Sequence, residues 1–346
     1  MPWTKVLIDK EDLKNTLGGQ GLRTRSYVDA LNEAHRQLME SDPAVYVIGE
    51  GIDDPGGVFG STKGLIQKFG PDRVVDIPIA ENGLTGIAFG SAICGMKPIF
   101  VHMRQDFLPM CMDQIVNHAA KWFYMTGGKC NAPIVIRALT GRGWGSAAQH
   151  SQALHGMFTA FPGLRVATPA TPYDAKGLLI SAMRDGNPVM FCEHRWLYSF
   201  EGYVPEEMFE VPFGKAVVRK EGTDVTIVAV SLMVYEAVKA ARELEKEGIS
   251  AEVIDPRTIK PLDRAAIAES VRKTGRLIVA DTAGIATGIS AEITACACED
   301  VFASLNTAPV RIGLPDCPTP ASPELEKFFY PGANEIVEAA RKMVKK

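Results

Sequence analysis

The 346-residue chain is expected to fold as an α/β protein, a mostly parallel sheet covered on both faces and followed by a smaller second α/β domain. Three observations lead there. Short apolar runs alternate with helical patterns, as strands buried on both faces require. An irregular stretch containing Pro205, Pro212, Gly214 and Gly222 separates two such alternations. The length also exceeds what one hydrophobic core usually organises.

Taken in order, the first 22 residues scatter Lys5, Asp9, Lys10, Glu11, Asp12 and Lys14 among apolar positions. They lack the apolar core of a secretory signal and read as a surface arm of a cytoplasmic protein. Ser26 followed by Asp29 is a capping-box pattern, after which Val28, Leu31, His35, Leu38 and Met39 recur at helical spacing. Within residues 23–205, the expected strands are 45–48, 74–79, 98–101, 134–136, 164–167 and 189–192. Residues 206–221 are the expected linker. The second domain, 222–346, is expected to place strands at 225–230, 251–254, 277–280 and 310–312, with helices through 237–247, from 262 and from 290.

Composition excludes several classes of function. The 37 basic and 41 acidic residues are mixed throughout and leave a net charge of −4, so no cationic face for nucleic acid is indicated. The longest apolar stretches fall short of the roughly 20 residues a membrane helix needs. Seven cysteines, odd in number and widely scattered, suit thiols in a reducing compartment. Cys296 and Cys298 lie two apart in an expected helix, point in different directions and make a poor metal pair.

The chemistry centres on Glu81, placed where an apolar strand gives way to a helix carrying Gly83, Gly86 and Gly90. Ligands on open α/β sheets bind outside the carboxyl ends of strands, which is where Glu81 falls. The three glycines give the helix a face without side chains that another element can approach closely. Read alone, the same pattern fits an acid favoured by a helix amino terminus. His35 fits an amphipathic helix face, His118 lies on the Asp113–Lys121 helix, and His155 and His194 have no acid at ligand spacing, so these four read as structural.

More specific are Gly56-Gly-Val-Phe59, Gly64-Leu-Ile-Gln-Lys-Phe-Gly70, Asp113-Gln-Ile-Val-Asn-His-Ala-Ala-Lys121, Gln149-His-Ser-Gln152, Pro162-Gly-Leu-Arg-Val166 and Asp174-Ala-Lys-Gly-Leu-Leu179. They span most of residues 25–200, with looser matches at Asp255-Pro-Arg-Thr258 and Pro261-Leu-Asp263. On these the chain resembles the beta subunit of the thiamine diphosphate-dependent dehydrogenase component of 2-oxo acid dehydrogenase complexes, of pyruvate, acetoin or branched-chain type. The resemblance implies a pyrimidine-binding, transketolase-like domain followed by a transketolase C-terminal-like domain. It implies that Glu81 hydrogen-bonds the aminopyrimidine and so promotes proton removal from the thiazolium carbon, that Phe107 stacks on the pyrimidine, and that His150 stands at the mouth of the site for proton transfer or lipoyl entry. Glu50 resembles an acid on a water-filled path between paired active sites, on the cofactor's side. The residue-level alternatives are a helix cap for His150, ahead of a helix beginning near Ser151, and simple solvation for Glu50.

The resemblance further implies a potassium ion held by backbone carbonyls at Ile134, Ala182, Met183, Asp185 and Asn187, where the alternative is a plain helix-ending turn at Gly186. The sequence has neither the Gly-Asp-Gly element nor the paired asparagines that usually hold the diphosphate through magnesium. An alpha partner is therefore expected to supply that end, in a two-alpha, two-beta assembly. Departures from the family occur at Val101, commonly glutamate, and at Arg104, where arginine is not usual. With His102, Arg142 and Trp144, Arg104 is a candidate for contact with an anionic or phosphorylated substrate; the residue-level alternative is that Arg104 and Arg142 pair with acids across the subunit interface.

Three readings follow. The first is the beta subunit of an oxidative dehydrogenase, using a 2-oxo acid or acetoin and passing the acyl group to a lipoyl acyltransferase core. The second is a non-oxidative acyloin-forming enzyme that joins a two-carbon unit to an aldehyde or sugar. The third is a non-catalytic scaffold, against which the joint presence of Glu81, Phe107 and His150 argues.

Overall fold

The computed structural model describes residues 1–8, 10–17, 21–141 and 145–344. Fourteen strands are β1 (Thr24–Ser26), β2 (Val45–Gly49), β3 (Val74–Asp76), β4 (Lys97–His102), β5 (Val135–Thr140), β6 (Arg165–Ala167), β7 (Val189–His194), β8 (Glu201–Tyr203), β9 (Val217–Lys220), β10 (Val225–Ala229), β11 (Ala251–Asp255), β12 (Thr258–Lys260), β13 (Leu277–Gly284) and β14 (Val310–Leu314) among the described residues. Strand order in the larger sheet is β12-β6-β7-β5-β4-β2-β3, and in the smaller β14-β13-β10-β11-β9. Every neighbouring pair in these two sheets is parallel except β12 with β6 and β9 with β11. β1 and β8 form a separate antiparallel ribbon.

The apolar runs become strands because both of their faces are covered. Along β2, Val45 and Val47 enter one hydrophobic cluster while Tyr46 and Ile48 enter another. Period-two alternation thus sends every residue of the run into a core. The helix Tyr27–Ser41 packs with Pro172–Arg184, and Glu81–Ile93 packs against the turns that follow β4. Ser26 caps the first of these, its Oγ accepting from Asp29 N at 3.2 Å and donating to Asp29 Oδ2 at 2.7 Å.

Two features differ from the sequence expectation. The first 22 residues are more than a surface arm: Trp3 stacks on Tyr173 at 5.4 Å, Val6 and Leu7 are buried, and Asp12 pairs with Arg242 at 2.8 Å. Within the expected linker, Val217–Lys220 forms β9, the antiparallel edge of the smaller sheet. The second half of the chain also returns to the first, since β12 pairs with β6.

Buried charge fastens this frame. Arg137 of β5 makes a bidentate pair with Glu193 of β7, at 2.6 and 2.7 Å, and Tyr198 donates to the same carboxylate at 2.6 Å. His35 donates from Nδ1 to Leu31 O at 2.7 Å, leaving Nε2 to accept from Arg137 at 3.0 Å. Burial first, and Arg137 second, push this imidazole far below its ordinary value, so it is neutral and structural.

Candidate active site

Connections leave β2 and β4 in opposite directions, one toward β3 and the other toward β5, which opens a crevice at their carboxyl ends. Gly49, the last residue of β2, lies opposite Val101 of β4, and a Cβ there would sit 2.4 Å from Val101 O. Only glycine lets the two strand ends close, and it delivers Glu50 to the rim.

Glu81 is the first residue of the helix Glu81–Ile93, with a side chain that is 8% exposed. Ala80 supplies no side-chain cap, so the carboxyl itself occupies the positive end of the helix dipole. Thr85 Oγ1 donates to Glu81 O at 2.6 Å and lies 3.5 Å from His102 Nε2. Partial burial, and next the charges of Glu81 and Asp76, hold the Glu50 carboxyl above the ordinary glutamate range. Glu50 and Glu81 are therefore electrically coupled across the crevice.

That coupling has a consequence for stability. A folded-state value raised above the unfolded one favours folding below the unfolded value, and the advantage is lost as pH rises through the folded value. At neutral pH the Glu50 charge opposes folding. Glu50→Gln is expected to raise the melting temperature at pH 7, by a screened effect under about 1 kcal/mol. The gain should vanish in melts below about pH 4, where a glutamate is protonated either way.

Phe107 lies in the turn of 3-10 helix Gln105–Cys111 that follows β4. Its ring meets that of His150 edge-on, with centroids 5.3 Å apart at 79°. His150 is exposed, on a loop pinned to this turn by the side chains of Gln105 and Asp106. Asp106 Oδ1 accepts from Gln152 N at 3.1 Å, and Gln105 Oε1 accepts from Leu154 N at 2.7 Å. Farther along, Gly145 N donates to Glu326 of the second domain at 3.3 Å. No helix begins at Ser151; the next one is the four-residue His155–Phe158. His155 does have an acid, Asp281 of β13, whose oxygens lie 2.9 and 3.0 Å from Nε2. The two are 126 positions apart in sequence, which hid the pair.

His102 and Arg104 follow in the same segment. His102 is 4% exposed, stacks on Phe100 at 4.1 Å, and is pushed down to about 3 by burial, so it is uncharged at neutral pH. Arg104 Nη1 donates to Gly141 O at 3.1 Å. Gly141 has φ +78°, and a Cβ there would lie 2.2 Å from His194 Nε2, so glycine is required. Arg142 and Trp144 lie outside the described residues.

The positions expected to hold potassium lie around the amino-terminal ends of β5 and β7, opposite the crevice. Ala182 and Met183 are in the last turn of Pro172–Arg184, where a helix leaves carbonyls unmatched. Ile134 O accepts from Val189 N at 3.0 Å, bringing it beside the turn through Asp185 and Asn187. Asp185 Oδ1 accepts from Arg165 at 2.8 Å and Asn187 at 2.9 Å. The carboxylate is thereby engaged, and a cation here would meet carbonyl oxygens.

Residues 23–201 match the transketolase pyrimidine binding domain, and residues 214–336 match the transketolase C-terminal domain. The chain is 48% identical over 326 residues to the acetoin:2,6-dichlorophenolindophenol oxidoreductase subunit beta of Cupriavidus necator, covering 91% of this chain and 96% of the relative. It is 42% identical over 318 residues to the pyruvate dehydrogenase E1 component subunit beta of Bacillus subtilis, with coverage of 92% and 98%. It is 41% identical over 320 residues to the 2-oxoisovalerate dehydrogenase subunit beta of the same organism, with coverage of 92% and 98%. A solved split gene transketolase, an inactive beta4 tetramer, superposes with a TM-score of 0.75 at 25% identity, over 92% of this chain and 98% of that one. At these identities over nine-tenths of its length, the chain belongs to the family of beta subunits of the acetoin, pyruvate and branched-chain 2-oxo acid dehydrogenase E1 components.

Proposed function

We propose that the chain is the beta subunit of a thiamine diphosphate-dependent 2-oxo acid dehydrogenase of pyruvate or acetoin type, active with an alpha partner and delivering its acyl group to lipoyl. The observation that carries this is a buried carboxyl, Glu81, at the switch point of a parallel sheet, on a rim shared with Phe107 and His150. The fit to the cofactor's pyrimidine end is chemical: a shielded acid to hold a proton at a ring nitrogen, and an aromatic face to pack on the ring. When bound, the cofactor supplies the electron sink for decarboxylation or carbon–carbon cleavage.

The protein residues divide the remaining work. Glu81 holds the proton at the pyrimidine nitrogen and orients the ring. Glu50, whose carboxyl keeps its proton to a higher pH than usual, is placed to share charge with Glu81. His150, exposed at the rim, moves protons to and from substrate. The diphosphate and magnesium fall to the alpha partner, since this sequence has no Gly-Asp-Gly element.

In this reading that partner sits on the glycine face. Gly86 meets Gln114 Oε1, with a Cβ 3.1 Å away, whereas a Cβ at Gly83 or Gly90 would meet nothing within 4 Å among the described residues. Ile79 and Ile87 beside them are 80% and 60% exposed. Such a surface fits a closely approaching helix. A two-alpha, two-beta assembly, with the carbonyl cluster at Ile134, Ala182, Met183, Asp185 and Asn187 holding potassium, completes the reading. Among the described residues no helix is long and apolar enough to cross a membrane, which fits work in a cytoplasmic complex.

Affinity purification of the chain with thiamine diphosphate and magnesium present, followed by a lipoyl-acceptor assay with several 2-oxo acids and acetoin, tests this. The expected result is co-purification of an alpha chain and an acyltransferase, with acyl transfer to lipoyl. An alpha chain without acyltransferase, together with carbon–carbon bond formation on aldehydes or sugars, would replace the oxidative reading by acyloin synthesis.

A further inference from the structure

The guanidinium of a largely buried arginine normally stands opposite a carboxylate, because an uncompensated charge away from water is costly. Arg104 is 8% exposed and forms no ion pair among the described residues. Its single hydrogen bond there runs from Nη1 to Gly141 O, leaving Nε and Nη2 without an acceptor. The nearest influential acid is Asp106, but its Oδ1 is committed to Gln152 N and the two side chains do not close to ion-pair distance.

A second arginine stands on the other side of the same strand end. The sheet order β7-β5-β4 puts Gly141, which follows β5, between Arg104 after β4 and Arg195 after β7. Arg195 lies against Phe59 at 4.5 Å and Tyr198 at 5.0 Å. Burial lowers both guanidiniums, and the field of Arg104 further lowers Arg195. His102 is neutral and adds nothing to that field. Arg104 is also the residue from which the Phe107-bearing turn starts.

We propose that Arg104, with Arg195 beside it, forms an anion subsite that receives an acidic group of the substrate or acceptor, a carboxylate or a phosphate remote from the reacting carbon. The role in turnover rests on the function proposed above; the binding of an anion does not. The planar fork of Arg104 offers two parallel N–H groups to such an oxyanion, which a lysine at the same place would not. Within the proposed thiamine diphosphate chemistry, this narrows the substrate class to 2-oxo acids or acceptors with a second, remote acidic group, in preference to pyruvate and acetoin, which carry none.

The alternative role for Arg104 is that of a strut holding Gly141 and its loop, and the test separates the two. The alpha–beta complex is first saturated with thiamine diphosphate and magnesium, which fills the diphosphate site. Calorimetric titration with inorganic phosphate and with malonate then compares wild type with Arg104→Met and Arg104→Lys. The expected result is saturable binding to wild type that weakens at least ~10-fold in Arg104→Met, the scale of lost charge-assisted hydrogen bonds. Phosphate tighter than malonate assigns a phosphorylated ligand, and the reverse assigns a dicarboxylate.

In turnover, KM should rise by a larger factor for acidic than for neutral acceptors in the variants. If Arg104→Met does not assemble, Arg104→Lys decides alone, with anion binding weakened about threefold or more on losing the fork. Absence of anion binding to wild type, or equal binding to wild type and variant, would overturn the subsite. So would an equal loss of kcat with acidic and neutral acceptors, the mark of a strut. Anion binding that depends on Arg104 in a complex without thiamine chemistry would leave the subsite standing and remove the proposed function.

Discussion

Glu81→Gln is expected to leave the chain folded and assembled with its partner while lowering turnover by at least ~100-fold, the scale of a lost acid–base step. The substitution preserves size and the capacity to hydrogen-bond, so the helix start at Glu81 and the bond from Thr85 to its carbonyl persist. What disappears is a carboxyl that can hold a proton against a ring nitrogen. Removing that charge also relieves Glu50, whose carboxyl stands high partly because of Glu81. Folding stability should change little as activity collapses, because the lost charge at the helix amino terminus offsets the relief of Glu50. A variant losing stability and activity together would reduce Glu81 to a helix-terminal acid.

The largest stability effect is expected at Arg219. Its side chain is fully buried between the two halves of the chain, donating to Asp255 Oδ2 at 3.1 and 2.7 Å and also to Asp174 Oδ2. Asp174 belongs to the helix Pro172–Arg184, and Asp255 to β11 of the smaller sheet. Thr171 Oγ1 and Arg257 complete the shells of the two acids. Arg219→Met leaves two buried carboxylates facing one another, which should cost about 3–5 kcal/mol in denaturant unfolding.

The pH dependence of that loss has a defined sign. Burial, and behind it Asp174, already hold the Asp255 carboxyl above its ordinary value even with Arg219 pulling it down. Without the guanidinium it rises further, and a raised acid favours folding at low pH and loses that advantage as pH rises. The variant should recover stability as pH falls from 7 toward about 4, the ordinary aspartate range. A loss below about 1 kcal/mol, typical of a surface pair, would show that the halves are held by apolar contact alone.

The sequence revealed what depends on local pattern. Each expected strand of the larger sheet is present because burial on both faces writes an unbroken apolar run, and Ser26 caps the helix its pattern announced. Glu81 was legible because an acid directly after such a run falls at the carboxyl edge of a sheet. β9 was not, since Val217 and Arg219 face inward while Val218 and Lys220 are half-buried, a short edge strand without an apolar run. β12 was missed because it pairs with β6, about ninety positions earlier in the chain.

Long-range partners were equally hidden. His155 reads as an isolated histidine until folding brings Asp281 to it. Gln105 and Asp106 carry no motif. Their importance comes from where the next strand's loop happens to pass.

The most direct test of the account measures proton exchange at the thiazolium carbon of thiamine diphosphate bound to the alpha–beta complex, by quenched-flow deuterium exchange and proton NMR. Wild type should exchange rapidly, and Glu81→Gln should bind the cofactor yet exchange at least ~100-fold more slowly. Equal exchange rates in the two complexes would contradict the assignment of Glu81 as the residue of this chain that activates the cofactor.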